Sequence, residues 1–551
     1  MLKALIRKVR KVAGDPVLRA WLTGRALGRF PGPPRFTTHR PPYLTGKLPL
    51  PAEHPDPPAP FRTLGDGVPR DPLTLALAGE VVTILSGEED ALFERAFADT
   101  ESLLAFHRFA WISEMGSGTD PRWVGALWRA WRKLHGEPGG GWPWHPYTAA
   151  ERVINILAFA RVHGLPGEAG DTLAVLAAHG PAIAGGLEYF GEHHTSNHLA
   201  NNGRGLYRLG LELGLSHCAQ VGSEILINEA ARIFLSSGVL REGSSHYHLL
   251  VAGWYADAAA WARQYKRPEA QTLADIANAA LAVVPRLVLP AGLPLIGDIS
   301  PDCTPLSTLQ KIAGILPVEA CNLDVLAQDG WLRADIGDWS GLWHVAPDGW
   351  SPMPGHGHQD CGTFELHCRG EALFIDPGRG AYGDDGDAAY YRAAGVHNLL
   401  LIDGADPFPF NKPYYDATFR LAIGGPPPVL VREGNTVLHA HSGFARLKEI
   451  KHLNRRWEFE GGAFTLLDHV SGAGRHTLTR RLVTPMAAGI DDSGVTLTGG
   501  KGRYHLHADG PCELHPLTAW NAYGAGRPAT MIEITLEADL PFEGRIRVET
   551  A

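Results

Sequence analysis

Gly355-His356-Gly357-His358-Gln359-Asp360 is the most chemically suggestive block in this chain. Asp376 and His397-Asn398 follow it at the edges of further predicted strands. His358, Asp376 and His397 offer two imidazoles and a carboxylate, a donor set suited to zinc with a fourth position left open. An isolated His-x-His is more often a surface pair. Here Tyr382, Tyr390, Tyr391 and Arg392 crowd the same stretch and strengthen the case for a site.

Two further clusters lie earlier. Ser196-Asn197-His198-Leu199-Ala200-Asn201-Asn202-Gly203-Arg204 opens a predicted helix. Asn197 and Asn201, four apart, share a face with His198 beside them, and such a face can hydrogen-bond a carboxylate and hold an imidazole near it. The plainer reading is a capped helix with a polar surface. Arg241-Glu242-Gly243-Ser244-Ser245-His246-Tyr247-His248 stands at another helix entrance. Tyr247 is a candidate proton donor or acceptor. Its ordinary pKa is about 10, so a basic role requires cationic neighbours that favour the phenolate. A buried tyrosine with a satisfied hydroxyl is the competing reading. Trp142, Trp144, His145 and Tyr147 follow Gly139-Gly140-Gly141, and indole faces there can stack on pyranose rings or simply anchor a loop.

The elements that must position these residues change character along the chain. Residues 30–72 are proline-rich, with Pro31, Pro33, Pro34, Pro41, Pro42, Pro55, Pro57, Pro58 and Pro60, and read as an extended connector or wrapping arm after a basic N-terminal segment. From 73 to about 290 the periodicity is helical, as in Val153, Ile154, Ile156, Leu157 and Ala160, and in Ile225, Leu226, Ala230, Ile233 and Phe234 before a stop at Gly238. Pro290 to Pro305 reads as a loop. Beyond 335 the pattern is strand and tight turn: Thr363 to His367, Arg369-Gly370, Leu373 to Ile375, and later Gly461-Gly462 between two apolar runs. Helices first and antiparallel strands second imply two packed regions, with expected boundaries 1–72, 73–334 and 335–551.

Composition bounds the function. At 551 residues the chain exceeds a single core, and 44% hydrophobic with 20% charged residues is ordinary for a globular protein. A net charge of −9 and a pI near 6.3 argue against a nucleic-acid binder, which should be basic. The six cysteines contain no CxxC pair, so reduced thiols are expected. Lys3, Arg7, Lys8, Arg10 and Lys11 interrupt the apolar pieces of the N-terminus, which argues for a solvated helix or arm over a secretory signal and so for a cytoplasmic protein, with a periplasmic or secreted one as the alternative. No stretch is long and apolar enough to predict a membrane span.

At these residues the chain resembles the heparinase II/III-like superfamily of polysaccharide lyases, which includes oligoalginate lyases. The resemblance rests on Asn197-His198, on Glu242 to His248, on His356 to Leu366, on Asp376-Pro377-Gly378 and on Tyr391 to Asn398. Gln359 and Cys361 depart from it, standing where many relatives carry small or acidic residues.

The resemblance implies an incomplete α/α toroid followed by an antiparallel β-sandwich, with the cleft between them. It implies a lyase that cuts a uronic-acid polymer by β-elimination, leaving 4,5-unsaturated ends. Asn197 and His356 would neutralise the uronate carboxylate, Tyr247 would be the acid, and also the base if elimination is syn, and His198 the base on the opposite face. Trp142, Trp144, Tyr147, Asn201, Arg204, Glu242, His246, Tyr382, Tyr390, Tyr391 and Arg392 would line the substrate path. His358, Asp376 and His397 would hold a structural zinc. The partner is an acidic polysaccharide or oligosaccharide, and a homodimer is possible. Two other classes compete: a glycoside hydrolase on a helical toroid, needing two carboxylates in one cleft with Glu242 or Asp360 among them, and a non-catalytic polysaccharide-binding or assembly protein.

Overall fold

A computed structural model describes residues 12–30, 40–46, 48, 50–65, 67–116, 118–353, 355–492 and 494–551. The basic residues Lys3, Arg7, Lys8, Arg10 and Lys11, and Pro31, Pro33 and Pro34, lie outside them. The helix Pro16–Ala26 lies not on the helical region but on the strands' side, where Trp21 is buried with its ring 4.4 Å from that of Tyr414. Residues 50–65 of the proline-rich segment run along the helices as an arm. Asp56 N–H donates to the carbonyl of Leu213, and Thr63 bridges to Leu165.

The helical region departs from expectation at its start. Leu73–Leu77 and Glu80–Ile84 form an antiparallel hairpin rather than a helix, burying Leu73, Leu75 and Leu77 on one face. The alternation of buried and exposed residues is a strand period of two, inside a stretch taken as helical. Helices then pack in consecutive pairs: Pro146–His163 with Ala169–Gly185, Asn197–Leu213 with Ser216–Ile233, and Ser245–Gln264 with Ala270–Leu281. They form an incomplete α/α toroid around cores rich in Trp123, Trp128, Trp131, Leu199, Leu206 and Leu209. Among the described residues, no helix is long and apolar enough to cross a membrane.

Strands dominate from Trp331 onward in three antiparallel sheets. One is a four-stranded meander, Trp331–Ile336, Trp339–His344, Thr363–Cys368 and Glu371–Phe374. Its last hairpin turns at Arg369-Gly370, both at positive φ, as the sequence pattern predicts. An eight-stranded sheet contains the Gly461-Gly462 hairpin, and a second four-stranded sheet includes Leu400–Ile402. Trp339, Trp343, Phe364, Trp457, Phe464, Leu482 and Ile532 bring all three sheets to one sandwich core.

Candidate active site

Two segments of the helical region lock together and aim side chains at the strands. Ser244 caps the helix Ser245–Gln264: its oxygen accepts from Tyr247 N–H at 3.0 Å while its hydroxyl donates to the carbonyl of Asp298 at 2.7 Å. Ser245 N–H donates to the Ile296 carbonyl, and Ser300 N–H donates to His246 Nδ1. This zipper requires glycine at two positions. Gly243 has φ +70, and a Cβ on Gly297, at φ +79, would fall 2.4 Å from the Gly243 carbonyl oxygen. The loop 294–300 is thereby pinned to the helix entrance and extends Asp298 toward the sandwich.

Asp298 is the hub between the two regions. It is 3% exposed and accepts from three groups of the strand region: His356 Nδ1 at 2.8 Å, His358 Nε2 at 2.9 Å and Arg379 Nη1 at 2.9 Å. Burial alone would raise its pKa, but the hydrogen bonds from the two histidines and the charge of Arg379 hold it well below the usual carboxylate range. Asp298 accepts from His356 Nδ1–H, leaving Nε2 on the partly exposed side of the ring.

Tyr247 meets the strand region directly. Its hydroxyl lies 2.8 Å from that of Tyr382. Tyr382 donates its own proton to the Ile299 carbonyl at 2.9 Å, so Tyr247 donates to the Tyr382 oxygen. The Tyr382 ring stands edge-on to His356, with centroids 5.5 Å apart, and Arg379 lies over its face. Burial drives the Tyr247 pKa well above its ordinary value; the bond to Tyr382 opposes this, and Asp298, Asp302 and Glu101 add to it. Burial and these carboxylates dominate, so this tyrosine is held as a phenol.

Asn197 and His198 begin the helix Asn197–Leu213, capped by Ser196. Asn197 is fixed by both oxygens of Glu242, which accept from its backbone N–H at 2.6 Å and from Nδ2 at 2.7 Å. Its Oδ1 is buried without a partner, and Nδ2 retains a second hydrogen. The His198 ring is 6.3 Å from that of His356 and 4.6 Å from that of Tyr147. Its Nδ1 pairs with Glu188 at 2.8 Å, and Asn202 holds the other Glu188 oxygen. Burial would lower the His198 pKa, but the charge and hydrogen bond of Glu188 overcome this and raise it; Glu188 is lowered in return.

Asn197, His198, Tyr247, His356 and Tyr382 therefore gather at the meeting of the two regions, with Tyr147 and Glu242 behind them. Several other expected substrate contacts are elsewhere. Trp144 is buried, its indole N–H donating to the His135 carbonyl among Trp131 and His179; its apolar ring was claimed by the helical core. His246 is fully buried and braces the 300 loop through Ser300 and Thr308, with burial lowering its pKa to about 3. Tyr391 faces the sandwich, where its hydroxyl accepts from Thr518 N–H, while neighbouring Tyr390 is exposed. Arg204 is buried in an ion pair with Glu151 and reaches Asn201; it borders a separate cavity of about 300 Å³ with Asp302. Arg392 braces the carbonyl of Gly357, between the two histidines. Trp142 is exposed and packs beside His145.

The zinc donor set meets only in part. His397 Nδ1 pairs with Asp376 at 2.8 Å, and Asp376 also accepts from Thr363 and from Gly378 N–H. The His358 and His397 rings are 5.5 Å apart. His358 Nδ1, His397 Nε2 and Asp360 Oδ2 are buried without partners. Among the described residues, no group of three His, Cys, Asp or Glu side chains is arranged to hold a metal. As arranged, Asp376 is a hydrogen-bond partner of a histidine rather than a converging ligand.

Asp298, Glu188 and Arg379 are the residues that sequence reasoning passed over. Asp298 lies in a segment legible only as a loop, and Glu188 comes two residues after the Gly185-Gly186 break, with no spacing that ties it to His198.

Residues 322–549 match the family model described as "Heparinase II/III-like, C-terminal". The strand region is a heparinase II/III-like domain. No curated protein matches the chain by sequence. Among solved structures, a heparinase III is similar over 83% of this chain and 78% of its own, at 19% identity and a TM-score of 0.62. A heparan sulfate lyase HepC mutant from Pedobacter heparinus is similar over 83% and 78%, at 16% identity and a TM-score of 0.51. These likenesses extend beyond the heparinase II/III-like domain into the helical region and establish the shared toroid-and-sandwich fold.

Proposed function

We propose that the protein is a polysaccharide lyase that cleaves a uronic-acid polymer by β-elimination. The observation that carries the reading is the junction itself: a phenol from the helical region and an imidazole from the strand region flank one site, each held by a defined partner. The fold shared with a heparinase III and the heparinase II/III-like domain support it.

In this reading Asn197 and His356 bind the uronate carboxylate. Asn197 donates its second Nδ2 hydrogen, and His356 acts as the imidazolium, its Nδ1–H held by Asp298 and its Nε2–H donated to the carboxylate. Drawing charge from the carboxylate acidifies the hydrogen on C5. His198 takes that proton, the C5–H electrons form the C4=C5 double bond, and the C4–O4 bond breaks. Tyr247 gives its proton to the departing O4. The raised pKa of Tyr247 favours the acid role, and His198 serves as base in its neutral fraction. Proton exchange with solvent resets both groups. Glu242 is less suited to hydrolysis, since both its oxygens are engaged by Asn197. A structural zinc is a separate proposal, resting on the free nitrogens of His358 and His397, and no step above passes through it.

Ultraviolet absorbance tests the reading. Uronate polymers, including glycosaminoglycans, alginate and bacterial exopolysaccharides, should yield unsaturated ends. Tyr247→Phe should lower the rate by about 10²–10⁴-fold, with stability changed by no more than about 1 kcal/mol, because only one exchangeable hydrogen bond is lost. Absence of unsaturated product from every polymer defeats the proposal, and cleavage without absorbance selects hydrolysis.

A further inference from the structure

A second cavity, of about 320 Å³, opens between the two regions beside the site. His193, His194 and Arg241 face it from the helical region, and Ser351, Asn411 and Arg420 from the strand region. Each wall is continuous with the site. His193 and His194 precede Asn197 in the loop that leads to its helix, and Arg241 adjoins Glu242. Ser351 backs directly on Gly357, between His356 and His358, where an added Cβ would lie 2.5 Å from the Ser351 Cβ.

The cavity's charge is positive and its polar atoms are underused. Two guanidiniums line it with a single carboxylate, Asp348, which Arg420 already pairs at 2.9 Å. Arg241 is fixed by its two terminal nitrogens on the carbonyls of Glu192 and Thr195, and has no carboxylate within ion-pair distance among the described residues. Its Nε is buried without a partner, as are Ser351 Oγ and Asn411 Oδ1. Burial and nearby Arg232 lower the Arg241 pKa to about 10, which still leaves it charged at neutral pH. A rigidly held guanidinium unmatched by a carboxylate, lining the same cavity as a second guanidinium, suits an anion. It is not the place for the scissile carboxylate, which the proposed chemistry puts between Asn197 and His356.

We propose that this cavity binds the anionic substituent, carboxylate or sulfate, of a sugar one or two units from the scissile uronate. The substrate is then a polymer with acidic groups on consecutive or alternating sugars, and this cavity sets its register. The inference rests on the lyase reading for the identity of the polymer.

Calorimetric binding to the full chain carrying Tyr247→Phe tests it without turnover. The probes are heparan sulfate and hyaluronan, an unsulfated uronate polymer. On that background, His193→Glu, at an exposed position, and Arg420→Gln should each weaken binding about 10–100-fold, the worth of one charge-assisted contact. Melting curves of both variants check that the fold persists. Loss confined to heparan sulfate assigns a sulfate, and loss with both polymers assigns a carboxylate. Affinity unchanged for both polymers in the folded variants overturns the inference, as does failure of the parent to bind either. Separately, the otherwise wild-type chain is assayed for unsaturated product. Charge-sensitive binding without such product would refute only the lyase reading; product with charge-insensitive binding would refute only this one.

Discussion

Replacing Asp298 by Asn tests how the two regions are joined. The carboxylate accepts from His356, His358 and Arg379 at 2.8–2.9 Å in a site only 3% exposed. Asparagine keeps the shape, removes the charge and turns one acceptor into a donor. That donor must face an N–H of His356 or His358, or the guanidinium of Arg379, which is 1% exposed. Breaking a buried ion pair from one side costs about 3–5 kcal/mol, and the mismatched hydrogen bond lies within that figure rather than adding to it. Urea unfolding followed by tryptophan fluorescence should show the loss as a lower midpoint. Activity should fall further than stability explains. At temperatures where the variant is fully folded, the freed His356 ring should reduce kcat about 100-fold, as a misplacement near 1 Å does, with KM changed less. Asp298→Ala, which removes the acceptors without adding a donor, should be no worse. A variant within about 0.5 kcal/mol of wild type and with unaltered kcat would refute the assignment of Asp298 as the positioning residue for His356.

Three further outcomes follow from the same geometry. Glu188→Gln removes the charge that raises His198, leaving burial to lower it, so the limb of the pH–rate profile governed by His198 should move to lower pH. For stability, the raised histidine contributes fully below its ordinary value of 6.5 and loses its contribution as pH climbs through the raised value. The lowered glutamate contributes fully above 4.5 and loses its contribution as pH falls through the lowered value. The gap between wild type and variant in melting temperature should therefore be widest between pH 4.5 and 6.5, and a gap that widens above pH 8 would contradict the pairing. Ser244→Ala deletes a helix cap and the bond to the Asp298 carbonyl, and should cost about 1–3 kcal/mol in denaturant titrations. If zinc is bound, metal analysis of the purified chain should approach one ion per chain and chelation should lower the melting temperature; metal-free protein with an unchanged melt would remove the zinc proposal.

The parts of the site legible in the sequence are those that local rules control. Ser196 and Ser244 precede apolar-periodic runs, so the helix starts that carry Asn197, His198 and Tyr247 can be read directly. Arg369-Gly370 between two strand-like runs fixes the hairpin after His356 and His358. Local rules also misled. Trp144 and Tyr391 have the side chains of a sugar cleft, yet their large apolar surfaces are buried in cores. The hairpin Leu73–Ile84 was hidden because five-residue strands give too few periods to stand out beside long helices.

What the sequence could not yield is the set of charges that decides protonation. Asp298 is 58 residues from His356, and its loop has no periodicity to mark it. It reaches His356 only because Gly243 and Gly297 let two backbones touch. Glu188, 10 residues before His198, meets it only because a turn folds back on the next helix. Yet these two carboxylates distinguish the imidazoles. One anchors His356 through Nδ1 and the other raises the pKa of His198, while burial and neighbouring carboxylates keep Tyr247 a phenol. Motif residues alone allow tyrosine to be acid, base or both. For the proposed elimination, the unseen carboxylates favour a division of labour, with the proton leaving C5 toward an imidazole and the proton reaching O4 from the phenol.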